Sequence, residues 1–211
     1  MISLVGIRKL FSLLRVEKQL LLMSDHAHSI SPEVYIRTKC RQLPFFECLI
    51  NERWTFEGMA SLLISRRMPS GKIIVGFYLV DIYCLGVKDS GFKFAIEQYE
   101  YRDFISHFSA NERIIIPCDL SLAHDIIYGA IDYADELGFK PHPSFALTEY
   151  ILDPDLIDIR IDEIEFGHNG KPLYTKGPGD NSAKILATLR RVVGEGNFEY
   201  ILDADDFYED E

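Results

Sequence analysis

Apolar residues are distributed along this chain in two rhythms. From Leu43 to Leu85 they come as runs, Leu43 to Ile50, Gly58 to Arg67 and Lys72 to Leu85, punctuated by Asn51-Glu52 and Pro69-Ser70-Gly71. Apolar runs bounded by turn residues predict three strands, and connections this short predict an antiparallel meander. The third run, Ile73 to Val80, does not alternate. It should be covered on both faces and lie centrally in its sheet.

Elsewhere the spacing is helical. Ala123, Ile127, Ala130, Ala134 and Leu137 make one apolar stripe along Leu120 to Leu137. Asp119 or Ser121 can cap its start. Gly138 suits the left-handed position after its end, with Phe139 folding back and Pro141 preventing continuation. Ser31-Pro32-Glu33 opens another helix, running to about Gln42. Further helices are expected over Ile96 to Phe108, Phe145 to Leu152 and Ser182 to Val193, the last with Arg190 and Arg191 near its negative end. Ile157, Ile159 and Ile161 alternate as in a strand, and Ile164 and Phe166 fall out of phase, which suggests a bulge near Asp162-Glu163. Asn169-Gly170 signals a hairpin, with Leu173 and Tyr174 on the return strand and Pro172 at a sheet edge. The expected fold is α+β: an antiparallel sheet of about five strands, helices packed mainly on one side, and the Asn169-Gly170 hairpin extending or flanking the sheet.

A length of 211 residues suits one domain. Residues 1–22 stand apart, with Arg8, Lys9, Arg15 and Lys18 against Glu17 alone. They form either a basic leader, as an amphipathic helix for a membrane or partner, or translated sequence ahead of a true start at Met23. Residues 203–211 carry six acids in nine positions and should form a solvated, disordered tail. This leaves 23–202 as a single α+β domain. The net charge of −11 argues against nucleic acid and anionic membranes, and leaves room for a basic protein partner, a metal ion or a small ligand. No apolar run approaches the ~20 residues of a membrane span. Cys40, Cys48, Cys84 and Cys118 form no C-x-x-C pair, and in a chain this long they read as reduced thiols of the cytoplasm.

Candidate chemistry concentrates at the end of the third run, in Asp81-Ile82-Tyr83-Cys84-Leu85-Gly86-Val87-Lys88-Asp89. A carboxylate within an apolar strand must be hydrogen-bonded, paired or protonated. Asp81 therefore either accepts backbone amides or pairs with an arginine, or it serves with Asp89 as base or metal ligand, with Lys88 on the loop steering an anion. Cys84 could be a nucleophile if a histidine lowered its pKa; otherwise it is a small core residue. His124, Tyr128 and Asp132 share one helix face, as a proton relay, part of a metal site or a polar seam. His142 is held between Pro141 and Pro143, which fix its direction. Gly177, Gly179 and Lys184 open the last helix and could bind an anion, although the string departs from the phosphate-loop pattern and Asp180 or Asn181 can cap the helix instead. No motif specifies a cofactor.

Several strings resemble a family of uncharacterised bacterial proteins: Gly58-Met59-Ala60 with Ser65-Arg66, Tyr78-Leu79-Val80-Asp81 with Cys84-Leu85-Gly86-Val87-Lys88-Asp89, Ala123-His124 with Tyr128-Gly129-Ala130, Gly138-Phe139-Lys140-Pro141-His142, and Phe166-Gly167 with Gly170-Lys171-Pro172. The resemblance spans about residues 35–195. It implies one continuous unit of bacterial, cytoplasmic origin and brings no catalytic role with it. Two function classes follow from the residues themselves. One is a non-catalytic binding or adaptor protein with an acidic surface. The other is a hydrolase, metal-assisted or not, using Asp81, Asp89, His124 and His142.

Overall fold

The computed structural model describes residues 30–109, 114–153 and 164–202. The leader, the acidic tail and the alternating run at 157–161 lie outside them. The chain falls into two units, Met1–Tyr35 and Ile36–Glu211. The helix α1, Pro32–Lys39, runs across the boundary between them, and the Ser31 hydroxyl accepts the Val34 amide and so caps its start.

The second unit is built on five antiparallel strands: β1 (Phe45–Asn51), β2 (Met59–Arg67), β3 (Ile73–Asp81), β4 (Gly86–Ile96) and β5 (Ile115–Pro117). Their order is β4-β3-β2-β1-β5, so β2 is central and β3 is interior beside it. Almost every residue of β2 and most of β3 is buried, which explains their unbroken apolar runs. The β2–β3 turn closes through the Gly71 amide on the Met68 carbonyl, with Gly71 at φ +86°.

One sheet face carries Leu49, Leu63, Ile73 and Val75 under helix α3 (Gln98–Ser109), which contributes Tyr101, Phe104 and Phe108. The other face lies under helix α4 (Leu120–Glu136), the short helix α5 (Phe145–Thr148) and a 3-10 turn over Glu149–Ile151. There the Tyr78, Phe145 and Tyr128 rings meet edge to face in series. A β-carbon on Gly86 would come within 2.9 Å of the Ala130 carbonyl, so this glycine lets α4 lie against the end of the sheet. Among the described residues helices thus gather mainly on one face, with α3 on the opposite one. Each large aliphatic side chain buried in these layers contributes roughly 1.5–3 kcal/mol.

Helix α4 ends as its sequence predicts. The Gly138 amide bonds Asp135 and the Phe139 amide bonds Ala134, with Gly138 at φ +87°. Its start differs from expectation. Asp119 holds the cap position by its backbone, and its side chain makes no capping bond.

A smaller sheet pairs β6 (Leu173–Thr175) with β7 (Glu199–Ile201), in parallel and joined by helix α6 (Ser182–Val192). This corrects the expected course of the return strand. Asn169 and Gly170 do turn with positive φ and His168 bridges Lys171, but Leu173 and Tyr174 then pair with a later segment. Cys84, Leu137, Tyr174, Leu186, Leu189 and Phe198 form the core beneath this sheet.

Candidate functional site

The third apolar run stops as a strand at Asp81, four residues before Leu85, because the Asp81 side chain turns the chain. Its Oδ1 accepts the amides of Tyr83 at 2.9 Å and Cys84 at 3.0 Å. The carboxyl is 3% exposed, and burial raises its pKa to about 6 against the opposing pull of those amides and of Lys88. Beyond the turn the chain does not enter a loop. Lys88 and Asp89 sit on β4, with Asp89 opposite Leu79.

Lys88 Nζ reaches Asp180 Oδ2 at 2.8 Å in a largely buried ion pair. The same oxygen accepts the Gly177 amide at 2.8 Å, and Asn181 Oδ1 accepts the Lys184 amide at 3.0 Å. At the loop proposed for an anion, two of the donors are therefore turned onto the protein's own side chains, and Asp180 supplies the negative charge beside Gly177. Gly179 adopts φ +79°, as the turn requires.

Cys84 is fully buried in the apolar core, and burial and the charge of Asp81 push its thiol well above the usual range. His124 is likewise buried. Its Nε2 accepts the Asp153 amide at 3.2 Å, and its Nδ1 has no hydrogen-bond partner among the described residues. Burial lowers its pKa to about 4, only partly countered by Asp153. The ring lies 5.9 Å from that of Tyr128, while Asp132 is exposed.

His142 projects from a shallow depression of about 270 Å³ bordered by Lys88 and Asp180. Its Nδ1 lies 3.6 Å from Asp89 Oδ1 and 2.7 Å from Ser144 Oγ. Of the four residues named for a hydrolase, Asp89 and His142 come together; Asp81 and His124 are each held by separate partners. Because Asp89 and Ser144 face the same ring nitrogen, the imidazole cannot carry a proton from the hydroxyl while the carboxylate steadies its other side. The Ser144 hydroxyl is also bound to Ser90, which in turn accepts from Thr148. Among the described residues, no group of three or more His, Cys, Asp or Glu is placed to hold a metal ion.

A larger cavity lies beside the Asp81 turn. It encloses about 610 Å³, between the helix α2 (Trp54–Glu57), Ile82 and Tyr83 of the turn, Leu122 of α4 and the 164–169 segment. Local bonds build its walls. The Ile82 amide and carbonyl bind Gly58 and Gly167, and the Tyr83 hydroxyl donates to the Thr55 carbonyl at 2.7 Å. The Tyr83 and His168 rings are 5.3 Å apart, and His168 Nδ1 lies 3.9 Å from Glu199. Glu165 is the one acidic side chain among the described lining residues, and no lysine or arginine joins it. The Tyr83 phenol is shifted upward by burial, then by the negative charges of Glu165 and Asp81.

Sequence reasoning did not reach this cleft. Trp54, the single tryptophan, was the available signal, since this large aromatic falls between two apolar runs and belongs to neither. It named Arg66 without giving it a role; this arginine is 3% exposed and donates to the carbonyls of Ile151 and Leu43. No protein-family model, curated protein sequence or solved structure matches the chain.

Proposed function

We propose that this is a non-catalytic binding or adaptor protein of the cytoplasm, whose Trp54–Tyr83–His168 cleft receives a cationic side chain from a basic protein partner. The observation that carries this reading is the lining itself: aromatic rings around an apolar floor, one carboxylate, and no lysine or arginine among the described lining residues. Aromatic faces attract ammonium and guanidinium groups by up to ~2 kcal/mol when water is excluded. Glu165 adds a charge of the right sign, and the net charge of −11 steers a basic partner toward the protein. The string resemblance to bacterial proteins and the four thiols support the cytoplasmic placement.

The hydrolase alternative draws on the Asp89–His142 contact alone. The shared use of one ring nitrogen leaves that pair without the geometry of a base and its orienting group.

Trp54 provides a direct test, because it is the only tryptophan and lines the cleft. Titration with a lysine- and arginine-rich peptide should change its emission saturably, while a glutamate-rich peptide of equal length should not. Glu165→Gln should weaken the binding about tenfold, equivalent to ~1.4 kcal/mol. Equal responses to both peptides would overturn the reading.

A further inference from the structure

The edge of the main sheet carries a feature independent of the cleft. Strands β1 and β5 run antiparallel with Leu49 opposite Pro117 and Ile50 opposite Ile116, so the next rung sets Cys48 opposite Cys118. The Cys118 amide donates to the Cys48 carbonyl at 3.0 Å, which makes this a hydrogen-bonded rung. Opposite α-carbons on such a rung are ~5.5 Å apart. That lies inside the ~4.4–6.8 Å range that a disulfide spans.

The two thiols differ in kind. Cys48 is buried, whereas Cys118 is partly open to solvent, just before the first turn of α4. The neighbouring Cys48 thiol lowers the Cys118 pKa against the opposing influences of burial and Asp119, and the Cys118 Sγ donates to the Asp119 carbonyl at 3.3 Å. Cys48 is held protonated by its interaction with Cys118 and by burial, with Asp119 and Glu47 adding negative charge nearby. Cys40 and Cys84 are fully buried elsewhere in the core.

We infer that Cys48 and Cys118 form a reversible oxidation site, at which a hydroperoxide converts the two thiols into a cross-strand disulfide. The Cys118 thiolate attacks the peroxide oxygen; the O–O bond breaks, hydroxide or alkoxide leaves and takes up a proton, and Cys118 becomes a sulfenic acid. The Cys48 sulfur then attacks the Cys118 sulfur. The S–O bond breaks, the Cys48 proton leaves with the hydroxyl as water, and one S–S bond forms. Two thiols are oxidised by two electrons, and one peroxide is reduced. The product ties the edge strand β5 to β1 beside the start of α4.

The test uses the full chain treated with a small excess of hydrogen peroxide, followed by mass spectrometry and peptide mapping without reductant. The expected result is a loss of about 2 Da per chain, one Cys48–Cys118 linked peptide pair, maleimide labelling reduced by two thiols, and full reversal by dithiothreitol. Cys118→Ser, a change at a partly exposed position, should abolish both the mass loss and the link. Oxidation that stops at sulfinic acid on Cys118, a link joining other cysteines or two chains, or four thiols still labelled after peroxide would each overturn the proposal.

Discussion

Replacing Asp81 by asparagine isolates the ionisation of one buried carboxyl. The amide oxygen can still accept the Tyr83 and Cys84 amides, so the turn survives, but the group no longer charges. Raising a carboxyl from an ordinary pKa near 4 to about 6 makes its ionised form ~3 kcal/mol less favourable in the folded chain than in the unfolded one. Between those values the folded state binds more protons, so this group's contribution is fully favourable below about pH 4 and is lost as pH rises through 6. Asp81→Asn should therefore gain ~3 kcal/mol on wild type at pH 7.5 relative to the same comparison at pH 4. Any loss from the altered second oxygen is independent of pH and cancels in that difference.

His124 acts with the opposite sign over much of the same window. Its folded pKa, about 4, lies below the unfolded value near 6.5. Here the unfolded state binds more protons, and stability is lost as pH falls from 6.5 toward 4. The two contributions largely offset in wild type, and the Asp81→Asn protein should show the His124 decline alone, ~3 kcal/mol over that interval. Urea unfolding followed by circular dichroism at several pH values reads both. A wild-type–variant difference that stays constant from pH 4 to 7.5 would refute the reasoning, since it would mean a hydrated carboxyl at position 81.

Other substitutions have defined outcomes. Arg66→Ala should lower stability by ~3–5 kcal/mol, because it leaves the buried carbonyls of Ile151 and Leu43 without a donor, and Arg66→Lys should restore only part, since one ammonium cannot replace the fork; urea midpoints at constant slope measure both. Gly58→Ala would bring a β-carbon to 2.1 Å from the Tyr83 ring at φ +66°, so ~1–3 kcal/mol of stability should be lost together with the Trp54 response to a basic peptide. Lys88→Met should cost ~1–3 kcal/mol in thermal unfolding by leaving Asp180 unpaired beside the Gly177 turn.

The sequence was informative where one local rule decided the outcome. The β2 and β3 runs, the glycine end of α4 and the Asn169-Gly170 turn need only burial, a left-handed residue and positive φ. Asp81 was legible as a buried carboxylate, although its effect in ending the strand was not. Strand β4 escaped notice because Lys88, Asp89, Ser90 and Lys93 resemble a loop; it is a strand because β3 offers it an edge along its length. The parallel pairing of Tyr174 with Tyr200 has no local signature either, being a consequence of how α6 returns the chain. The cleft is assembled from four segments distant in sequence, and only Trp54 hinted at it. Ser90 and Ser144, which engage Asp89 and His142, lie far apart in sequence and carry no spacing signal.

The cleft's occupancy is most directly tested by a nitrogen-15 correlation spectrum of the full chain during titration with a lysine- and arginine-rich peptide. The account predicts shifts concentrated at the Trp54 indole and at the amides of Tyr83, Glu165, Gly167, His168 and Asn169. Shifts centred instead on His142 and Lys88, or none up to millimolar peptide, would contradict it.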